Sequence, residues 1–261
     1  MIVIKLIAVP VVILLASHVG RRWGHRVSGL ISGFPLISAP IVLFLSYSAP
    51  RAFVADTAWF TMTVAPAVGV HCLAYAWLAR LRLPHRMHWI VCILGAWTAC
   101  VAAQWLMSAW VFKSGLGAAI AIGEMLLAAA LMPRARTAVG MPAVPSTQLA
   151  VRMLAALVIA AAIMLGAESF GPRISGILLG FPITASVLPL FTLYLYGADA
   201  TIRLLSGFVT GLVGFVAYFF AFASLIESAG PWPAFVAGAL ASVAVVSLLL
   251  GWHSYRGSRA A

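Results

Sequence analysis

The sequence predicts an all-α fold: a polytopic transmembrane helical bundle whose nine spans form a 4+1+4 inverted-topology repeat, with helices broken at two Gly-Phe-Pro motifs. Three observations predict it. Of 261 residues, 64% are hydrophobic and 8% charged, with a mean hydropathy of +1.10, whereas soluble domains carry about 25% charged residues. Apolar stretches of the roughly 20 residues that a hydrocarbon core of about 30 Å requires recur from end to end. Residues 24–47 also recur without a gap 147 positions later as 171–194, with ten of 24 positions identical. The whole chain, 1–261, reads as a single transmembrane domain.

Span one, 2–20, opens with Lys5 and an apolar run to Ala16, a pattern shared with secretory signal peptides. Extending the repeat backwards pairs Lys5 with Arg152 and Ala8 with Ala155. A segment with an internal counterpart is expected to be retained as a helix. Span two, 27–49, carries the first Gly-Phe-Pro. Spans three, 53–79, and four, 87–111, are bounded by Arg51, Arg80, Arg82, Arg86 and Lys113 and complete a first unit over 2–111.

Span five, 115–132, lies between Lys113 and Arg134 and has no repeat mate, so it is a linker helix. Prolines and two arginines between 133 and 148 mark a short connection. Spans six to nine, at 149–168, 174–197, 201–226 and 232–252, form a second unit over 149–252. The offset holds to its end: Pro84 pairs with Pro231 and Trp105 with Trp252.

Four spans return a chain to its starting side, so one linker helix makes the second unit enter from the opposite face. That is the symmetry of many secondary transporters, whose halves exchange conformations around a central site. Strict alternation of nine spans gathers Arg21, Arg22, Arg26, Arg80, Arg82, Arg86, Arg134, Arg136, Arg152, Arg203, Arg256 and Arg259 on one side. Only Lys5, Arg51, Lys113 and Arg173 fall on the other. Basic loops stay cytoplasmic, which predicts an N-terminus outside and a cytoplasmic C-terminus. The Ala/Arg-rich composition suggests a bacterial cytoplasmic (inner) membrane. The net charge of +11 is thereby a topology signal and gives no reason to expect nucleic acid.

Gly-Phe-Pro in mid-span removes a backbone donor and exposes the chain. The freed carbonyls must then find protein or a water-lined cavity. At 1.5 Å per residue, Pro35 lies about 13 Å from Arg26, and Pro182 as far from Arg173, close to the bilayer midplane. The expected substrate-binding residues are therefore Ser32, Gly33, Phe34, Pro35 and Ser38 in the first unit, with Gly180, Phe181, Pro182, Thr184 and Ser186 in the second. The same hydroxyls could cap carbonyls, and Gly29-x-x-x-Gly33 and Gly176-x-x-x-Gly180 are also helix-packing motifs. Arg26 and Arg173 are assigned as gating residues or interfacial anchors.

Glu124 sits eleven residues after Lys113 and ten before Arg134, about 15 Å from either face. An ionisable group at that depth is a functional candidate. Glu124, with His71 in span three, is assigned to proton coupling, although His71 and Gln104 equally suit interhelical hydrogen bonds. Asp199 and Arg203 have the i, i+4 spacing of a surface pair.

An enzyme is not expected: H-E-x-x-H, G-x-S-x-G and a P-loop are missing, and no carboxylate pair shares the membrane centre. Cys72, Cys92 and Cys100 lie in apolar stretches without metal-ligand spacing, so no metal and no cofactor is expected. The expected function is secondary transport of a small solute by alternating access, with the bilayer and that solute as partners and homo-oligomerisation left open. The alternatives are a non-catalytic scaffold or assembly factor using GxxxG faces, and a channel.

Overall fold

The computed structural model describes residues 2–81, 83–107, 115–137, 150–151, 154, 158 and 182–259. Among the described residues every regular element is helical. They are α1 (Ile2–Gly33), α2 (Ser38–Leu45), α3 (Arg51–Met62), α4 (Ala65–Leu78), α5 (His85–Met107), α6 (Gly115–Leu131), α7 (Ile183–Ala229) and α8 (Pro231–Arg259). Five stretches are long and apolar enough to cross a membrane: Leu14–Leu45, Arg51–Leu78, Met87–Met107, Ile183–Ala229 and Pro231–Trp252. Gly115–Leu131 is a shorter apolar helix. The apolar helices make this a multi-pass membrane protein.

The two longest of these stretches, of 32 and 47 residues, exceed what a bilayer needs, and glycine divides both. An unbroken 47-residue α7 would extend about 70 Å, more than twice the hydrocarbon thickness. Gly197 interrupts it with φ 79° and ψ −173°, leaving 183–196 and 198–229. Gly24 interrupts α1 in nearly the same conformation, φ 84° and ψ 174°, leaving 2–23 and 25–33. Both are positive-φ positions that a residue with a Cβ adopts only under strain. A third, Gly230 with φ 86°, closes α7 and turns the chain into α8.

The joints gather at two ends of the bundle. At one, His25 and Tyr196, the residues just after Gly24 and just before Gly197, have ring centroids 5.1 Å apart. Near Tyr196, Asp199 accepts the backbone N–H groups of Arg136 and Thr137 at 3.1 and 3.0 Å, and Arg203 donates to the Thr137 carbonyl at 3.0 Å. Trp77 Nε1 donates to the Leu131 carbonyl at 3.1 Å. At the opposite end of the 198–229 segment, a Cβ built on Gly230 would lie 3.7 Å from the Arg51 guanidinium.

The 198–229 segment is the core helix. Between its polar ends it is mostly apolar, as a helix largely surrounded by protein must be, and Leu205, Val209, Val216, Phe219, Phe222 and Ile226 are fully enclosed. Tyr218 stacks on Phe222 with centroids 5.9 Å apart and planes 13° apart. Against this face α8 comes close enough that a Cβ on Gly238 would meet the Tyr218 ring at 2.9 Å. The outer faces of α5 and α8 are apolar as well: Trp105 is 75% exposed and Leu248 73%. Such surface is costly in water and suits lipid.

Spans two to five and seven to nine of the sequence reading have helical counterparts, with shifted ends. The helix of span one continues past 20 to the break at Gly24, and α8 runs on to Arg259. Span three is interrupted at 63–64. Span six falls almost wholly outside the described residues, as do Arg173, Gly180 and Phe181.

Candidate functional site

The first Gly-Phe-Pro opens its helix. The chain is helical to Gly33, irregular over 34–37 and helical again from Ser38. Pro35 has no N–H to offer the Ile31 carbonyl, and that carbonyl takes the Phe34 N–H at 3.2 Å instead. Helix resumes when the Pro35 carbonyl accepts the Ala39 N–H at 2.8 Å. Ser32 Oγ donates to the Ser28 carbonyl at 2.8 Å, and Ser28 Oγ reaches across to the Ala16 carbonyl at 2.7 Å. Pro35 and Ser38 are buried, Phe34 is half-buried and Arg26 is exposed.

Glycines bring this helix against the core helix with no side chain between them. A Cβ on Gly29 would lie 2.9 Å from the Phe208 N, and one on Gly33 2.9 Å from the Gly211 Cα. Reciprocally, a Cβ on Gly207 would lie 2.9 Å from the Leu30 N and one on Gly211 2.9 Å from the Gly33 Cα. Two small-xxx-small faces thus occupy one another.

At the second motif, α7 starts at Ile183 directly after Pro182, whose φ −79° and ψ 59° are not helical. Ser186 Oγ donates to the Pro182 carbonyl at 2.7 Å and accepts Trp97 Nε1 from α5 at 2.9 Å. Pro189, inside the helix, cannot donate to the Ala185 carbonyl four residues earlier. His71 of α4 takes that place, with Nε2 3.1 Å from the Ala185 oxygen. Since a carbonyl only accepts, Nε2 carries the proton. Nδ1 has no hydrogen-bond partner, although the Ala96 backbone is near the ring. His71 and Ser186 are fully buried and Thr184 nearly so.

The segments that follow the two motifs come to one place. Ile37, at the end of the first break, and Ile183, just after Pro182, pack against the same cluster of Ala16, Val187, Leu188 and Leu204. These four residues come from the first segment of α1 and both segments of α7. The first break and Pro182 are therefore interior features.

Glu124 and His71, paired above as coupling residues, have different surroundings. Glu124 is half-buried on α6 and lines a cavity of about 340 Å³ with Met62, Thr63, Pro66, Leu106, Met107, Gly117, Ile120 and Ala121. Among the described residues, no Gly-Phe-Pro residue lines this space. Its Oε2 is enclosed and has no hydrogen-bond partner. The cavity adjoins the interruption at 63–64, where Thr63 Oγ1 donates to the Phe60 carbonyl at 2.7 Å and Pro66 leaves the Met62 carbonyl without its helical donor.

Sequence reasoning missed this third break, and with it Thr63 and Pro66. Pro66 is a mid-span proline and would have been the signal, but it is absent from the second unit, where Val213 stands. It also missed Trp97, whose role depends on a contact from another span. Among the described residues, no three His, Cys, Asp or Glu side chains gather where they could hold a metal ion. No protein-family model, curated protein or solved structure matches the chain.

Proposed function

We propose that this chain is a secondary transporter that moves a small solute by alternating access. Its nine spans form two four-span units of inverted topology around a site at the two Gly-Phe-Pro breaks, with the N-terminus outside, the C-terminus in the cytoplasm, and proton coupling through Glu124. The convergence of Ile37 and Ile183 on one buried cluster carries the reading. A membrane anchor has no use for an interior helix break that shares neighbours with a second, proline-led helix start. Alternating-access carriers place discontinuous helices around their substrate. The gathering of the joints at two ends agrees with the alternation of spans.

The scaffold reading is weakened because Gly29, Gly33, Gly207 and Gly211 are consumed by their own crossing. The test is flux in reconstituted vesicles under an imposed proton gradient, with candidate solutes inside. Pro35→Ala and Pro182→Ala should abolish solute flux, and Glu124→Gln should abolish the proton movement tied to it, while each protein stays monodisperse. Undiminished flux in all three would remove the assigned site.

A further inference from the structure

The Glu124 cavity is lined by none of the described Gly-Phe-Pro residues and has chemistry of its own. A volume of about 340 Å³ lies within the roughly 300–1,000 Å³ of small-molecule sites. Of its nine described lining residues only Glu124 can carry a charge, and its enclosed Oε2 is unpartnered. A carboxyl group at such depth needs a counter-charge or a proton.

Two other polar features of the described lining accept. Thr63 Oγ1 spends its proton on Phe60 and has only lone pairs to offer. Pro66 leaves the Met62 carbonyl without a helical donor, between the C-terminus of α3 and the N-terminus of α4, whose opposite partial charges offset one another.

The rest of the wall, including Leu106, Met107 and Ile120, is apolar. Inorganic cations need more oxygen than this: calcium takes six to eight ligands and magnesium keeps its waters. One negative charge in an apolar chamber fits a singly charged cation with an apolar body. We propose that the cavity bounded by α3, α4, α5 and α6 binds a small lipophilic organic ammonium ion, paired with Glu124. A lipid headgroup ammonium is too shallow, because Glu124 is about 15 Å from Arg134 along the helix.

The probe is phenyltrimethylammonium, which keeps its charge in any buffer, and tert-butylbenzene is its neutral isostere. Binding is measured by equilibrium dialysis on the full chain in phosphatidylglycerol nanodiscs, which lack headgroup ammonium. Saturable binding of the cation is expected, with the isostere at least about tenfold weaker, since only the cation gains the Coulomb attraction of Glu124 in a low-dielectric site. Glu124→Gln should lose that preference. Ala121→Leu, which fills the cavity and keeps the charge, should weaken cation binding by a similar factor if its melting temperature is unchanged.

Several results would overturn the proposal: no saturable binding, equal affinity for the isostere, or retained cation binding in Glu124→Gln or in Ala121→Leu. Competition by added phosphatidylethanolamine would also do so, by making a lipid the occupant. None of these readouts involves transport, so absent flux with intact binding counts against the transporter reading alone.

Discussion

His71 supplies from α4 the hydrogen bond that Pro189 denies to Ala185: Nε2 lies 3.1 Å from the Ala185 oxygen, the carbonyl whose helical donor would be residue 189. The pair ties span three to the helix after the second Gly-Phe-Pro. A buried carbonyl left without a partner costs about 1–3 kcal/mol, so His71→Phe should lower unfolding stability in detergent by that amount. Pro189→Ala restores a backbone donor at the right position. The double variant should therefore be less destabilised than the two single effects added together. Strict additivity in this double-mutant cycle would mean that His71 is held by packing alone.

The glycine crossing predicts a position-specific loss. At Gly29, Gly33, Gly207 and Gly211 an added methyl would run into the backbone of the facing helix, and backbone cannot step aside as a flexible side chain can. Alanine at any of these four should cost about 1–3 kcal/mol or more, the usual penalty of overpacking. Gly123 is a helical control with nothing within 4 Å of its added Cβ. There alanine should stabilise by up to about 1 kcal/mol. A thermal-melt series in one detergent decides it, and a flat response across the four positions would rule the crossing out.

Gly24 and Gly197 separate a different effect. Neither has an atom within 4 Å of an added Cβ, yet both have positive φ. With ψ near 180° both lie in a region open essentially to glycine alone, so alanine there should cost about 1–3 kcal/mol through backbone strain alone. Asparagine has no advantage in this region, so Gly24→Asn and Gly24→Ala should melt together, both below the unsubstituted protein. If either variant melts with the unsubstituted protein, the break at Gly24 does not depend on its backbone angle.

The membrane helices and the first break were legible because each depends on a local rule. Apolar length sets the spans, and Pro35 removes one donor from one carbonyl. The duplication then pointed to Pro182, after which α7 begins. What stayed hidden depends on contacts between spans. Nothing local in residue 97 names Ser186, and nothing in residue 71 names Ala185, although Pro189 marked that carbonyl as needing a donor. Attention to the duplicated break also drew the eye from Pro66, whose repeat position holds Val213. Glu124 was found by depth alone, but depth gave no hint that its neighbours would be Thr63 and Pro66. The glycine crossing pairs a repeated motif with an unrepeated one, since Gly207 and Gly211 correspond to Phe60 and Val64, so symmetry could not have predicted it.

The joints predict sidedness. The tilted ring contact of His25 with Tyr196 places the Gly24 and Gly197 joints together, and Asp199 binds the backbone of Arg136 and Thr137, so residues 23, 134 and 199 should share one compartment. Arg51 beside Gly230 places residues 48 and 228 together at the other end. The three native cysteines are buried and can be replaced before single cysteines are introduced at exposed positions. In intact cells, a membrane-impermeant maleimide should label Ser48→Cys and Ser228→Cys but reach Trp23→Cys and Arg134→Cys only after lysis, because basic ends stay cytoplasmic. Inverted units add a further expectation. Arg26 and Arg173 are repeat mates, so Arg173→Cys should label in intact cells and Arg26→Cys should not. Labelling of both from the same side would leave the breaks in place but make the two units parallel, and no axis in the membrane plane could then relate them.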